Sequence, residues 1–157
     1  MIGNDVVDLA LAITQSNWKR KGYLEKIFTL SEIKIIQNSA NQGKKVWELW
    51  SRKEAVYKII MQKGGKRGFY PINIECLEKG IVQFENQLFY TKTYFSNDFI
   101  YSEALENKED FEKIMPLENS NSIYKINGMP FLKINNKTVS VSKTHHGRFE
   151  KSVYLKL

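Results

Sequence analysis

Cysteine is nearly absent from this chain of 157 residues, and the single thiol, Cys76, excludes an internal disulfide framework and a cysteine-built zinc site. Histidine is as scarce: only His145 and His146 occur, side by side, and no cluster elsewhere has metal-binding Cys/His spacing. Long apolar runs are missing too, and none approaches the length needed to cross a bilayer. The first residues lack the basic stretch and following apolar stretch of a secretory signal, so neither export nor membrane insertion is expected. One cysteine and no signal together point to a reducing, cytoplasmic setting. There is no fixed-period repeat and no low-complexity tract.

What is present describes a folded domain. A hydrophobic fraction of 42% and an aromatic fraction of 13% let the chain bury enough apolar surface to offset its ordering entropy. The length suits a single domain over 1–157. Lys and Arg number 24 against 17 acids, a formal charge of +7, which favours an anionic partner. Nucleic acid, a phosphorylated cofactor, an anionic membrane surface and an acidic protein all fit, and charge alone does not choose among them.

After an opening apolar run, LALAITQSNWKRKGYLEKIF predicts one or two amphipathic helical pieces that break at Gly22. Thr29 or Ser31 would cap a short helix over SEIKIIQNS, with Glu32 at its positive end. The stretch KKVWELWSRKEAVYKIIMQK contains neither Gly nor Pro and stops at Gly64-Gly65, which predicts one long helix. At 100° per residue, Val46, Leu49, Trp50, Val56, Tyr57 and Ile60 share an apolar arc. Glu54 and Lys58 fall at its border, whereas Lys53 falls near its middle. From Tyr70 onward the texture changes to short strand-like runs, PINIEC, IVQFE, QLFYTKTYF, DFIYSE, SIYKI, FLKI, TVSVS and SVYLKL, punctuated by Asn, Gly and Pro. ENKEDFEKIMPL is either a short helix or a loop. The fold class expected is α+β, an antiparallel sheet packed on a long central helix.

Two stretches carry residue types that suggest chemistry. In IGNDVVDL, Asp5 and Asp8 sit inside an apolar run, where they either end a strand and cap the next helix or hold a hard cation such as Mg²⁺ through oxygen ligands. In WSRKEAVYK, Glu54 and Lys58 form an ordinary i,i+4 pair, but Lys53 on the apolar arc is costly unless it serves a carboxylate or a ligand.

These stretches carry a family resemblance. IGNDVVDL resembles the opening glycine-x-aspartate strand of the 4′-phosphopantetheinyl transferase superfamily, and WSRKEAVYK is similar to its Lys-Glu-Ala-x-x-Lys signature. Asp5 and Glu54 stand in that order, 49 positions apart, a spacing close to that of compact holo-acyl-carrier-protein synthases. NGMPFLKINNKTVSVSKTHHGRF resembles the family's Gly-x-Pro turn and a strand ending in Ser-x-Ser-His. Here Ser140-Val-Ser142 is followed by Lys143-Thr144, so either Lys143 replaces the usual histidine or His145 arrives two residues late. The stretch from Ile81 to Ser122 matches no family element and is either an insertion or a divergent part of the sheet.

The resemblance implies transfer of the 4′-phosphopantetheine of coenzyme A to a serine of an apo acyl or peptidyl carrier protein, as in fatty acid or specialised biosynthesis. Adenosine 3′,5′-bisphosphate would be released. It implies Mg²⁺ bound by Asp5 and Glu54, with Glu54 and Lys58 catalytic and Lys53, Lys58, Ser142, Lys143 and His145 near the coenzyme phosphates. Asp8 has no such match and is expected to end the strand. An acidic carrier would dock on Trp18, Lys19, Arg20 and Lys21. One unit of this kind implies a homo-oligomer, by resemblance a trimer. The alternatives are a non-catalytic carrier- or coenzyme-binding relative of the same fold and a small nucleic-acid-binding domain, although the latter leaves Asp5, Asp8 and Glu54 without a use.

Overall fold

The computed structural model describes residues 1–118 and 122–156. Strand β1 (Ile2–Asp8) leads directly into helix α1 (Leu9–Gln15), because the Asp8 carboxylate accepts the amides of Ala10 and Leu11 and so caps the helix. Gly22, in the left-handed region at φ 80°, turns the chain into the short α2 (Tyr23–Ile27). Thr29 then starts α3 (Leu30–Gln37) with a reciprocal capping box to Glu32. The long helix is α4 (Gln42–Gln62), capped by Asn41.

The strands follow: β2 (Ile74–Cys76), β3 (Ile81–Phe84), β4 (Gln87–Phe95), β5 (Phe99–Leu105), β6 (Ile114–Pro116), β7 (Tyr124–Ile126), β8 (Met129–Ile134), β9 (Lys137–His146) and β10 (Phe149–Leu155). ENKEDFEKIMPL resolves into a 3₁₀ turn over Lys108–Lys113 followed by β6. Asn135 and Asn136 both take positive φ, the geometry of a tight hairpin between β8 and β9. The last residue of the final predicted run, at 157, lies outside the described residues.

Among the described residues all pairings are antiparallel, and they build two five-stranded sheets rather than one. The first runs β1-β5-β4-β3-β2 and the second β6-β10-β9-β8-β7. The segment from Ile81 to Leu105 is therefore part of the first sheet, next to β1, and not an appendage. Helix α4 lies against β1 and β5, where Val46, Leu49, Val56, Ile59 and Ile60 join Val7, Ile100 and Ala104 in the main core. A smaller core of Ile2, Leu105, Phe111 and Val153 sits between the sheets.

The close approach of α4 to β1 depends on Gly3. A Cβ there would lie 1.8 Å from the Ala55 carbonyl oxygen, so no other residue fits without moving the helix. Period-2 alternation then places Gly3, Asp5 and Val7 on the α4 side of the strand. Asp5 thus sits beneath the turn of α4 that carries Ser51, Glu54 and Lys58, and the Ser51 hydroxyl donates to the Asp5 carbonyl at 3.2 Å.

Candidate active site

The first strand is the edge of its sheet, and its outward backbone groups are closed by side chains rather than by another strand. Asn4, Val6 and Asp8 donate their amides to Ser142 Oγ, Thr144 Oγ1 and His146 Nδ1 of β9, at 2.9, 3.2 and 2.8 Å. The carbonyls of Ile2 and Asn4 accept from Gln62 and Lys58 of α4, at 2.7 and 2.6 Å. This arrangement brings the end of β9 over β1 and α4. Ser142, Thr144 and His146 share the inward side of β9, and Lys143 and His145 alternate outward.

Asp5, Glu54 and His145 line one cavity of about 180 Å³, together with Trp47 and Trp50. Glu54 and Trp50 also wall a second, more apolar cavity of about 320 Å³ formed with Tyr57, Phe69 and Tyr70. Burial pushes the Asp5 carboxyl up to about 7; Lys58 pulls it down, the Glu54 charge pushes it further up, and the Thr144 hydroxyl offsets part of the rise. Burial likewise raises Glu54, with the Lys58 charge in opposition, and no hydrogen bond from a described residue reaches its carboxylate. The Lys58 ammonium stands 3.8 Å from Asp5 Oδ1 and is itself shifted downward by burial. Two of its three N–H donors go to the Asn4 and Lys143 carbonyls at 2.6 and 3.2 Å, which leaves the third free of a carbonyl partner. Two desolvated carboxylates share one cation, so the site can take up further positive charge or a proton.

Oxygen donors from two carboxylates suit a hard divalent ion that completes its shell with water and phosphate. No group of three or more His, Cys, Asp or Glu able to hold a metal exists among the described residues. The protein would thus supply Asp5 and Glu54 and no more, and the donor set fits Mg²⁺ better than a transition metal.

Several expected site residues stand elsewhere. Lys53 does not reach the cavity of Asp5: its ammonium, in a side chain 1% exposed, donates to Glu32 Oε2, Pro71 O and Ile74 O at 2.7, 2.8 and 2.7 Å. A buried cation with all three donors filled has none left for a phosphate, and this corrects the expected role. Ser142 is also committed, since its hydroxyl accepts the Asn4 amide and donates to Asn4 Oδ1 at 2.7 Å. The Lys143 ammonium pairs with Glu150 at 2.8 Å, outside the cavity. His145 lies on the cavity rim, exposed.

Asp8 is a structural acid. It is 1% exposed, and Arg148 holds it with its backbone amide, Nε and Nη2 at 3.0, 2.9 and 2.9 Å, which keeps its carboxyl well below the usual range. Trp18 is half-buried against the core with Lys19 over its ring at 5.5 Å, while Lys19, Arg20 and Lys21 are exposed around a surface hollow. No helix among the described residues is long and apolar enough to cross a membrane.

Sequence reasoning missed Thr144 and His146. Accepting at Nδ1 leaves the His146 ring proton on Nε2, which faces Gln15 Oε1 at 3.3 Å. The alternation Ser142, Thr144, His146 was the available signal for one face of a strand.

Comparison with known proteins shows the family and the fold. The sequence model of the 4′-phosphopantetheinyl transferase superfamily matches residues 1–112. The match contains Asp5, Glu54 and Lys58 and ends before β9. Among solved structures, holo-acyl-carrier-protein synthase from Neisseria meningitidis is 16% identical with a TM-score of 0.57, covering 68% of this chain and 97% of that one. The synthase from Helicobacter pylori, solved in complex with coenzyme A, is 18% identical with a TM-score of 0.52, covering 68% of this chain and 100% of its own. The apo synthase of Chronobacterium ammoiniagenes gives 17% identity and a TM-score of 0.53, over 66% of this chain and 93% of that one. No curated protein matches the sequence.

Proposed function

The chain belongs to the 4′-phosphopantetheinyl transferase superfamily, and from that premise we propose that it moves the 4′-phosphopantetheine arm of coenzyme A onto a serine of an acidic apo carrier protein. The serine oxygen attacks the phosphorus that bears the pantetheine. A new P–O bond forms, the bridging P–O bond of the pyrophosphate breaks, and adenosine 3′,5′-bisphosphate leaves. The observation that carries this reading is the under-compensated pair Asp5 and Glu54 in one cavity, with the Lys58 ammonium 3.8 Å from Asp5.

Transfer of this kind needs positioning and charge neutralisation more than covalent help. Glu54, raised by burial and free of hydrogen bonds from described residues, accepts the serine proton. Lys58 offers its remaining N–H to a phosphate oxygen, and His145 reaches phosphate from the cavity rim. Asp5 and Glu54 would hold Mg²⁺, which when bound neutralises phosphate charge. Lys19, Arg20 and Lys21 present positive charge to the carrier.

The test is to incubate the protein with apo carrier protein, coenzyme A and Mg²⁺ and to weigh the carrier by intact-mass spectrometry. A phosphopantetheine adduct that disappears with EDTA supports the reading. In the same assay, Arg20→Glu with Lys21→Glu raises the KM for carrier and spares that for coenzyme A. No adduct with any cognate carrier would leave a binding relative of the same fold, a reading favoured by the commitment of Lys53 and Ser142 to the core rather than to a ligand.

A further inference from the structure

Of the three β9 side chains that close the edge of β1, each has the same first task and a different second one. Ser142 Oγ accepts the Asn4 amide and returns its proton to Asn4 Oδ1, within the same residue. His146 accepts the Asp8 amide and faces Gln15 with its other nitrogen. Thr144 Oγ1 accepts the Val6 amide at 3.2 Å and donates to the Asp5 carboxylate at 3.1 Å. A hydroxyl has one proton, and once a lone pair is engaged by an amide N–H that proton must find an acceptor elsewhere. Here the acceptor is Oδ1, the oxygen that also faces Lys58 at 3.8 Å.

We propose that Thr144 is a positioning residue that fixes the Asp5 carboxylate for a divalent cation, a role that rests on the metal part of the function proposed above. Three observations converge on it. Thr144 is 5% exposed, so its hydroxyl does not exchange the carboxylate for bulk water. The amide of Val6 orients the hydroxyl, so the donor direction is set by backbone rather than by a free rotor. Thr144 donates directly to Asp5 Oδ1, whereas the Ser51 hydroxyl goes to the Asp5 backbone oxygen at 3.2 Å and adds a smaller pull on the carboxylate. A ligating carboxylate held by an outer hydrogen bond loses less freedom on binding an ion, and removal of such partners typically weakens metal affinity about 10- to 100-fold.

The test uses Mn²⁺ alone as the probe, with free ion counted by electron paramagnetic resonance, on wild type, Thr144→Val and Thr144→Ser. The valine keeps the shape and loses the hydroxyl; the serine keeps the hydroxyl and loses a methyl. We expect Thr144→Val to bind Mn²⁺ about 10-fold or more weakly while Thr144→Ser stays near wild type. Equal affinity in Thr144→Val, a Thr144→Ser variant as weak as the valine, or a wild type that binds no Mn²⁺ would each overturn the assignment. Should the carrier receive no adduct while the Mn²⁺ pattern holds, the transfer reading falls and the role of Thr144 stands.

Discussion

Two lysines five residues apart on α4 meet carboxylates under very different terms. At Lys53 the ammonium fills its three donors with Glu32, Pro71 and Ile74, and Glu32 in turn accepts the amides of Thr29 and Cys76 at 2.8 and 2.7 Å. At Lys58 the ammonium bonds two backbone carbonyls and stands 3.8 Å from Asp5, while Asp5 and Glu54 are both pushed upward by burial. In the first region every charge is answered within the fold. In the second the fold leaves two acids with one cation between them. Burial alone does not mark a functional ion; the count of hydrogen bonds around it does.

The comparison can be broken from the side of Lys53. Lys53→Met leaves Glu32 charged and buried with no ammonium, and loss of one partner from a buried pair costs roughly 3–5 kcal/mol. Urea unfolding should show that fall. A change under about 1 kcal/mol would mean that Lys53 and Glu32 do not act as an internally satisfied pair.

Asp5 sharpens the contrast through pH. Its folded pKa of about 7 lies above the ordinary value of 3.8, so the folded state binds more protons than the unfolded one between those values. The contribution of Asp5 to stability should therefore be greatest below about 4 and decline as pH rises toward about 7. Asp5→Asn removes that decline, so thermal unfolding from pH 4 to pH 8 should show the variant gaining on wild type as pH rises. At pH 7.5, Mg²⁺ at a hundred times its Kd would return about 2.7 kcal/mol to wild type and nothing to the variant. Parallel pH profiles with the same response to Mg²⁺ would remove Asp5 from the site.

The sequence carried local features well and distant ones unevenly. Helix α4 was legible because no Gly or Pro interrupts it, and the hairpin at Asn135-Asn136 because few residues tolerate positive φ. The pairing of Asp5 with Glu54 was visible only as two ordered motifs, since Gly3 and the approach of α4 are matters of three dimensions. Lys53 on the apolar arc signalled a partner but not Glu32, which comes from another helix. The division into two sheets was not legible, because short alternating runs state which residues face inward and not which strands pair. Thr144 was passed over as spacing in an imperfect Ser-x-Ser-His strand, although its period-2 place beside Ser142 and His146 marks it as inward.

Glu54 offers the most direct measurement. Glu54→Gln removes a buried acid that makes no hydrogen bond to a described residue and whose ionised form burial disfavours, so at neutral pH the variant should be no less stable to unfolding than wild type. The same variant, given apo carrier protein, coenzyme A and Mg²⁺ and followed by intact mass, should form the phosphopantetheine adduct about 10²- to 10⁴-fold more slowly than wild type. A folded Glu54→Gln protein that modifies the carrier at the wild-type rate would contradict the account.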